Sequence, residues 1–216
     1  MSAFSIQHRL GFVLRFEDIF DRPTTPRTPP IRTRLHVSIP DRRWDAMFID
    51  HDGTYRFRFH PDEDITGNHT VEVTSLDGFY LNHETFTVTL PRVASTPPVA
   101  TDYMIPRPLW PTRLFRIPVG ETAVIGRIVP AVPGLDVTGL RVQLYRGLAP
   151  PPAGAYTFTD SQGEFVFRLK KLGGPVPGGT LNDIKIVVSD GAPVSVAPAI
   201  FTVELGRTQT MTFTRT

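Results

Sequence analysis

DSQGEFVFRL, Asp160–Leu169, and DHDGTYRFRF, Asp50–Phe59, are the two stretches from which the rest of the chain can be read. Each opens with Asp, reaches Gly three positions on, and then alternates: Phe165, Phe167 and Leu169 in one, Tyr55, Phe57 and Phe59 in the other. A turn of this kind followed by strict alternation is the pattern of a β-strand with one face buried and one face wet. The residues between, Arg56, Arg58 and Arg168, are therefore expected on a solvated face.

Working outward, the two stretches have matching neighbours. LHVSI at Leu35 corresponds to LRVQL at Leu140, an offset of 105; the Asp-x-x-Gly strands are offset by 110. VEV at Val71, followed by Asp77-Gly78, matches IKI at Ile184, followed by Asp190-Gly191, at 113; FTVTLPR at Phe86 matches FTVELGR at Phe201 at 115. Four collinear matches with a slowly rising offset are what a duplicated domain with small loop insertions produces. The division expected is a first β-domain over 1–92, a Pro-rich extended linker over 93–117 and a second β-domain over 118–216.

The remaining strands fall between these anchors. Leu10, Phe12, Leu14 and Phe16 alternate and open the first domain; Glu17–Pro30 holds four prolines and reads as a loop. Trp44–Ile49 reads as one strand of a hairpin around His51-Asp52-Gly53, and Thr85–Leu90 closes the domain. In the second half Val124–Val129 opens, Ala155–Thr159 leads into the Asp160 turn, and Gln209–Arg215 could add an edge strand or swap onto a neighbour. The reading is all-β, about seven short strands per half, two tandem seven-stranded Greek-key sandwiches of prealbumin-like or Ig-like type.

Composition agrees. Of 216 residues 40% are hydrophobic, enough for packed cores, and 22 prolines with 17 glycines punctuate short apolar runs. With no cysteine, a disulfide framework and a thiolate zinc site are both excluded. The N-terminal MSAFSIQHRLGFVLRF has no basic start, apolar core or small-residue cleavage site, so the expectation is no signal peptide. The address expected is the cytoplasm, or a particle assembled there, with no membrane span. Net charge is +2, with ten basic against thirteen acidic side chains over 1–90 and nine against six over 123–216. That balance lacks the concentrated basic face a nucleic-acid partner needs.

The strand Leu-x-Val-x-Leu, then Thr159, Asp160, Gly163, Phe165 and Phe167, with Asp50, Gly53, Tyr55 and Phe57 in the first half, resembles the carboxypeptidase regulatory-like and transthyretin-like sandwich domains. The resemblance implies a fold and a structural or binding module, since such domains are appended to many proteins without carrying chemistry. Related pilin-type sandwiches cross-link a Lys to an Asn. Here the first half has no Lys, and the closing strand opposite Lys185 has no Asn.

Residues 93–117 differ from a solvated spacer. Alongside its prolines the segment carries Tyr103, Arg107, Trp110, Arg113 and Phe115, and burying an aromatic or aliphatic side chain stabilises by about 1.5–3 kcal/mol. Something should cover that face, either the chain's own domains or a protein partner. These five are the candidate partner-binding residues.

Other candidates have plainer readings. His8, His36, His51, His60, His69 and His83 all lie in the first half, but no two share metal-binding spacing on one element, so they read as surface loop residues. PDEDITGNH starts like a calcium loop and has Val73 at its twelfth position instead of Glu. No nucleophile, metal-protease or phosphate-loop motif occurs. Catalytic, metal and cofactor sites are all expected to be absent, and nothing points to a small-molecule ligand. The function expected is a structural or adaptor subunit within a multisubunit protein assembly, with a phage-tail-like or contractile injection particle as one setting. The alternative is a carbohydrate- or cell-surface-binding module using loops around Trp44 and Tyr80.

Overall fold

Asp160 builds its turn with its own carboxylate, whose Oδ1 accepts the N–H groups of Gln162 at 2.8 Å and Glu164 at 2.9 Å. Gly163 takes a φ of 73°, and a Cβ there would run into the Ile128 carbonyl oxygen, so the position requires glycine on two counts. Thr159 fastens the strand before it: its hydroxyl donates to the Val137 carbonyl at 2.6 Å and accepts the Leu140 N–H at 2.8 Å. The Asp-x-x-Gly turn is thus a self-contained hydrogen-bonding device, and Thr159 ties it to the Val137–Leu140 segment. Its counterpart at Asp50–Gly53 lies outside the described residues.

The computed structural model describes residues 9–19, 34–49, 54–59, 62–81, 84–90, 103–147, 156–169 and 179–216. The chain divides into a first unit, Met1–Asp77 with Leu81–Leu109, and a second, Gly78–Tyr80 with Trp110–Thr216. Strands of the first are β1 (Arg9–Asp18), β2 (Leu35–Ile39), β3 (Trp44–Asp45), β4 (Met47–Ile49), β5 (Thr54–Phe59), β6 (Gly67–Ser75), β7 (Glu84–Leu90) and β8 (Met104–Leu109). Those of the second are β9 (Ala123–Pro130), β10 (Arg141–Arg146), β11 (Tyr156–Phe158), β12 (Glu164–Arg168), β13 (Thr180–Ser189), β14 (Pro193–Val194), β15 (Val196–Ala197), β16 (Ile200–Glu204) and β17 (Thr208–Arg215). The protein is all-β, and among the described residues no helix is long and apolar enough to cross a membrane.

In the first unit one sheet has the order β4-β5-β1-β8 and the other β3-β2-β6-β7. Tyr55, Phe57 and Phe59 of β5 point into the space between them, as their alternation requires. Phe57 is 1% exposed and stacks on Phe12 at 4.6 Å; Phe16 meets Tyr55 edge-on at 5.4 Å. Trp44 packs on Phe59 at 4.4 Å, and the Leu35 N–H donates to the Tyr55 hydroxyl at 3.2 Å, so groups from both sheets meet in this core.

The second unit has the order β12-β9-β17-β15 in one sheet and β11-β10-β13 in the other, with β14 and β16 both pairing with β13. Phe167 is 2% exposed, and Phe213 lies between Phe165 at 5.9 Å and Phe201 at 5.5 Å. Gly126 of β9 leaves room for the Phe165 ring over the backbone, as Gly11 of β1 does for Phe59.

Each unit ends the same way. β1 is antiparallel to β5 and parallel to β8, from Val13 opposite Met104 to Asp18 opposite Leu109. β9 is antiparallel to β12 and parallel to β17, from Ala123 opposite Thr208 to Pro130 opposite Arg215.

The structure departs from the sequence reading in five places. Met104–Leu109, taken as linker, is a strand of the first unit's sheet. Gln209–Arg215, taken as an edge, lies inside its sheet between β9 and β15. Trp44–Ile49 is not one strand: it breaks at Ala46, so that β3 pairs with β2 in one sheet and β4 with β5 in the other. His69 is no surface loop residue; it is buried on β6 with Nε2 2.9 Å from the Ile65 carbonyl oxygen. Arg168, expected on a solvated face, is buried, for the reason given next.

Candidate protein-contact segment

Residues 103–122 begin as a sheet edge that cannot extend. The Leu109 carbonyl accepts the Ile19 N–H at 3.0 Å, so Ile105, Arg107 and Leu109 direct their backbone groups at β1. Residues 106 and 108 face the open side, and both are proline. The outward N–H positions there are empty of donors. Arg107 lies on the core-facing alternation beside Phe16, with its guanidinium 4.0 Å from the centre of the Phe86 ring and its Nε without a hydrogen-bond partner among the described residues. An inward-turned charge on an edge strand is a known guard against stray pairing. Tyr103 precedes the strand and is half-buried.

From Trp110 onward the segment belongs to the second unit. Trp110 is 8% exposed, with its indole N–H donating to the Tyr156 carbonyl at 3.1 Å and its ring 5.2 Å from Phe158 and 5.7 Å from Tyr156. The Arg141 guanidinium covers the Tyr156 ring at 4.4 Å. The Thr112 N–H donates to the Phe79 carbonyl, Tyr80 bridges Pro111, and Phe115 meets Tyr80 edge-on at 5.6 Å.

The strongest electrostatic feature follows. Arg168 on β12 grips Glu121 bidentately, Nε to Oε2 at 2.8 Å and a terminal nitrogen to Oε1 at 2.9 Å, and its guanidinium sits 5.3 Å from the centre of the Phe115 ring. The Arg168 side chain is 2% exposed and that of Glu121 15%. A guanidinium taken out of water needs such a fork-to-fork partner. Arg113 reaches Glu164 at 2.8 Å but is largely solvated, so that pair contributes little. Of the five candidates, then, Tyr103 and Arg107 lie in the first unit, while Trp110, Arg113 and Phe115 lie in the second. Glu121, Arg168 and Tyr156 complete the arrangement and carry no sequence signal, because their partners lie 46 or 47 positions away.

The other candidates resolve simply. Tyr80 is 4% exposed and offers no ring to a glycan, while Trp44 is half-buried with its N–H bonded to Glu63 at 2.7 Å. In the acidic loop Asp64 accepts the Thr66 N–H, an ordinary turn bond, and among the described residues no cluster of His, Asp and Glu is placed to hold a metal. His36 is exposed on β2; His8, His51, His60 and His83 lie outside the described residues. Burial pushes the Tyr55 phenol up, against the Leu35 N–H that it accepts. Hydrogen bonds from Thr138 hold the exposed Asp136 carboxyl below its usual range.

No family model matches the chain, and no curated protein does. Among solved structures it is similar to the TIE protein of Bacillus anthracis, at 13% identity and a TM-score of 0.30, over 95% of this chain and 33% of that one. It thus spans a third of the length of that protein. A streptococcal ancillary pilin is similar at 12% identity and a TM-score of 0.28, over 97% of this chain and 69% of that one. GBS52, a minor pilin of Streptococcus agalactiae, is similar at 12% identity and a TM-score of 0.26, over 95% and 96%. Overlaps this loose carry no functional argument, which rests on the chain's own geometry.

Proposed function

We propose that the chain is a non-enzymatic, load-bearing structural subunit that works through protein contacts in a larger assembly. In this reading its units are tandem copies of one prealbumin-like Greek-key sandwich. What supports duplication is the repeated pairing scheme, with β1, β5 and β8 related to one another as β9, β12 and β17 are, and a glycine beneath a phenylalanine ring on each opening strand.

The observation that carries the load-bearing role is the parallel pairing of the first and last strand of each unit. Tension pulling the start of β1 away from the end of β8 acts along both strands in opposite directions. All the bonds between Val13–Asp18 and Met104–Leu109 are then sheared together instead of opening one by one. The second unit has the longer clamp, Ala123–Pro130 on Thr208–Arg215. Forced unfolding is governed by the unfolding rate, which such simultaneous loading keeps low. Tyr103, Arg113 and Phe115 keep surface for a protein partner, while Arg107 and Trp110 hold the segment in place.

Stretching single molecules of the full chain from its two ends tests this. Two separate unfolding peaks are expected, each releasing roughly 30–35 nm of chain, since each unit holds about 100 residues at up to ~3.6 Å apiece. The Arg207 and Arg215 carbonyls bond β9 and its extension, so the odd-numbered residues of β17 face that strand. Met211→Pro removes one of these donors and should weaken the second unit's peak alone. Unfolding without a resolvable peak, or an unchanged force in Met211→Pro, would contradict the proposal.

A further inference from the structure

Among the described residues one strand edge is left open where the other long ones are guarded. β8 presents prolines. β16 faces a bulge in β13 at Asp183, where φ is 61°, and its Glu204 N–H is capped by the Gln209 side chain at 3.1 Å. β12 is flanked by Glu164 and Arg168 bound to Arg113 and Glu121. The edge strands β3, β4, β11 and β15 are two or three residues long. Between Thr85 and Leu90, β7 shows none of these devices. It runs seven residues in unbroken register with β6, from Gly67 opposite Leu90 to Val73 opposite Glu84, with no proline and no ionisable group between Thr85 and Leu90.

Its free backbone groups can be assigned. The Leu76 N–H donates to the Arg34 carbonyl, so on β6 Thr74 and Glu72 direct their backbone at β2, while His69, Val71 and Val73 direct theirs at β7. Across the β6–β7 ladder, Phe86, Val88 and Leu90 then face β6. Thr85, Thr87 and Thr89 turn their N–H and C=O groups to the open side, and their side chains are exposed. Among the described residues no backbone group bonds that side.

We infer that β7 is an interface between two copies of this chain, paired antiparallel about a two-fold axis through Thr87. Thr87 meets Thr87 of the second copy, Thr85 meets Thr89, and Phe86 meets Val88. Threonine lies against threonine on the outer face and an aromatic against a β-branched residue on the inner one, both favourable cross-strand pairs. Three N–H and three C=O groups from each copy give six backbone bonds, and no charge opposes another. The result is one sheet of the order β3-β2-β6-β7-β7-β6-β2-β3. A strand that complements itself closes into a dimer and leaves no β7 edge over. The inference names a partner for the assembly role proposed above, but it stands on β7 alone, so the force measurement and the dimer can fail independently.

The absence of cysteine makes the axis directly testable. Residues opposed as a bonded pair lie about 5.5 Å apart at Cα, within disulfide reach. Thr87→Cys should therefore cross-link the full chain into dimers under mild oxidation. Thr85→Cys should not, because its copies are four residues out of register, about 13 Å apart. By sedimentation across a dilution series the unmodified chain should be dimeric. Thr87→Lys and Thr87→Asp should each weaken the dimer at least tenfold, and mixing the two should restore it. Trp44 fluorescence checks that each variant stays folded. A monomeric parent chain, a Thr87→Lys variant as dimeric as the parent, or cross-linking at position 85 and not 87 would overturn the inference.

Discussion

Glu121→Ala is the sharpest probe of how the second unit is held together. In the native structure Glu121 supplies both acceptors of the Arg168 fork, at 2.8 and 2.9 Å, and the guanidinium otherwise faces the Phe115 ring. Removing the carboxylate takes from a 2%-exposed cation the bidentate partner that neutralises it. Breaking a buried pair from one side costs about 3–5 kcal/mol. The partial exposure of Glu121 lets water reach the gap, which places this case near about 3. At an m-value of about 2 kcal/mol/M, the urea midpoint of the second unit should fall by roughly 1.5 M. The chain has two tryptophans, Trp44 in the first unit and Trp110 in the second, so a Trp44→Phe background reports the second unit alone. Arg168→Met should cost less, about 1–2 kcal/mol, because the stranded carboxylate can turn to water. The double variant should be more stable than the sum of the two single losses implies. A loss below about 1 kcal/mol for Glu121→Ala would falsify the view of Arg168 as a buried cation that depends on the Glu121 carboxylate.

Phe57→Ala and Phe167→Ala should each destabilise their own unit by about 3–5 kcal/mol, read from Trp44 and Trp110 respectively; losses under ~1 would mean that these rings do not fill the cores. Tyr55 adds a dependence on pH. Burial raises its pKa above the ordinary 10.0, so the unfolded chain ionises first and favours unfolding. Its contribution is complete below pH about 10 and is lost as pH rises through the folded value. Tyr55→Phe should flatten that alkaline decline of the first unit, followed by urea titration at rising pH. An identical decline in parent and variant would show that Tyr55 does not cause it.

The strands that alternate were legible because a period of two is local: Tyr55, Phe57 and Phe59 needed no partner to reveal their face. The Asp160 turn was legible for the same reason, since its carboxylate bonds residues two and four positions on. β8 was not. Prolines at 106 and 108 read as linker, and only the pairing with β1, some 90 positions away, shows that they sit on the side of a strand that needs no donor. Arg168 failed in the opposite way: alternation placed it outside correctly, yet Glu121 and Phe115 cover that outside. Of the segment nominated for partner contact, its aromatic content was readable; its division between two units was not.

The parallel closure of each unit also sets an order of events during synthesis. β1 cannot complete its sheet until β8 has been made, and a ribosome adding about 5–20 residues per second needs roughly 5–20 s to cover that distance. Until then the flank of β1 that β8 will occupy stands open beside growing chain. The first unit is finished at Leu109, before any strand of the second exists to compete for it. Two units whose opening strands pair in the same scheme, a recipe for exchanged pairing when released together from denaturant, are thereby kept apart in time. Refolding of the full chain in vitro should be slower and less faithful than its first folding in the cell.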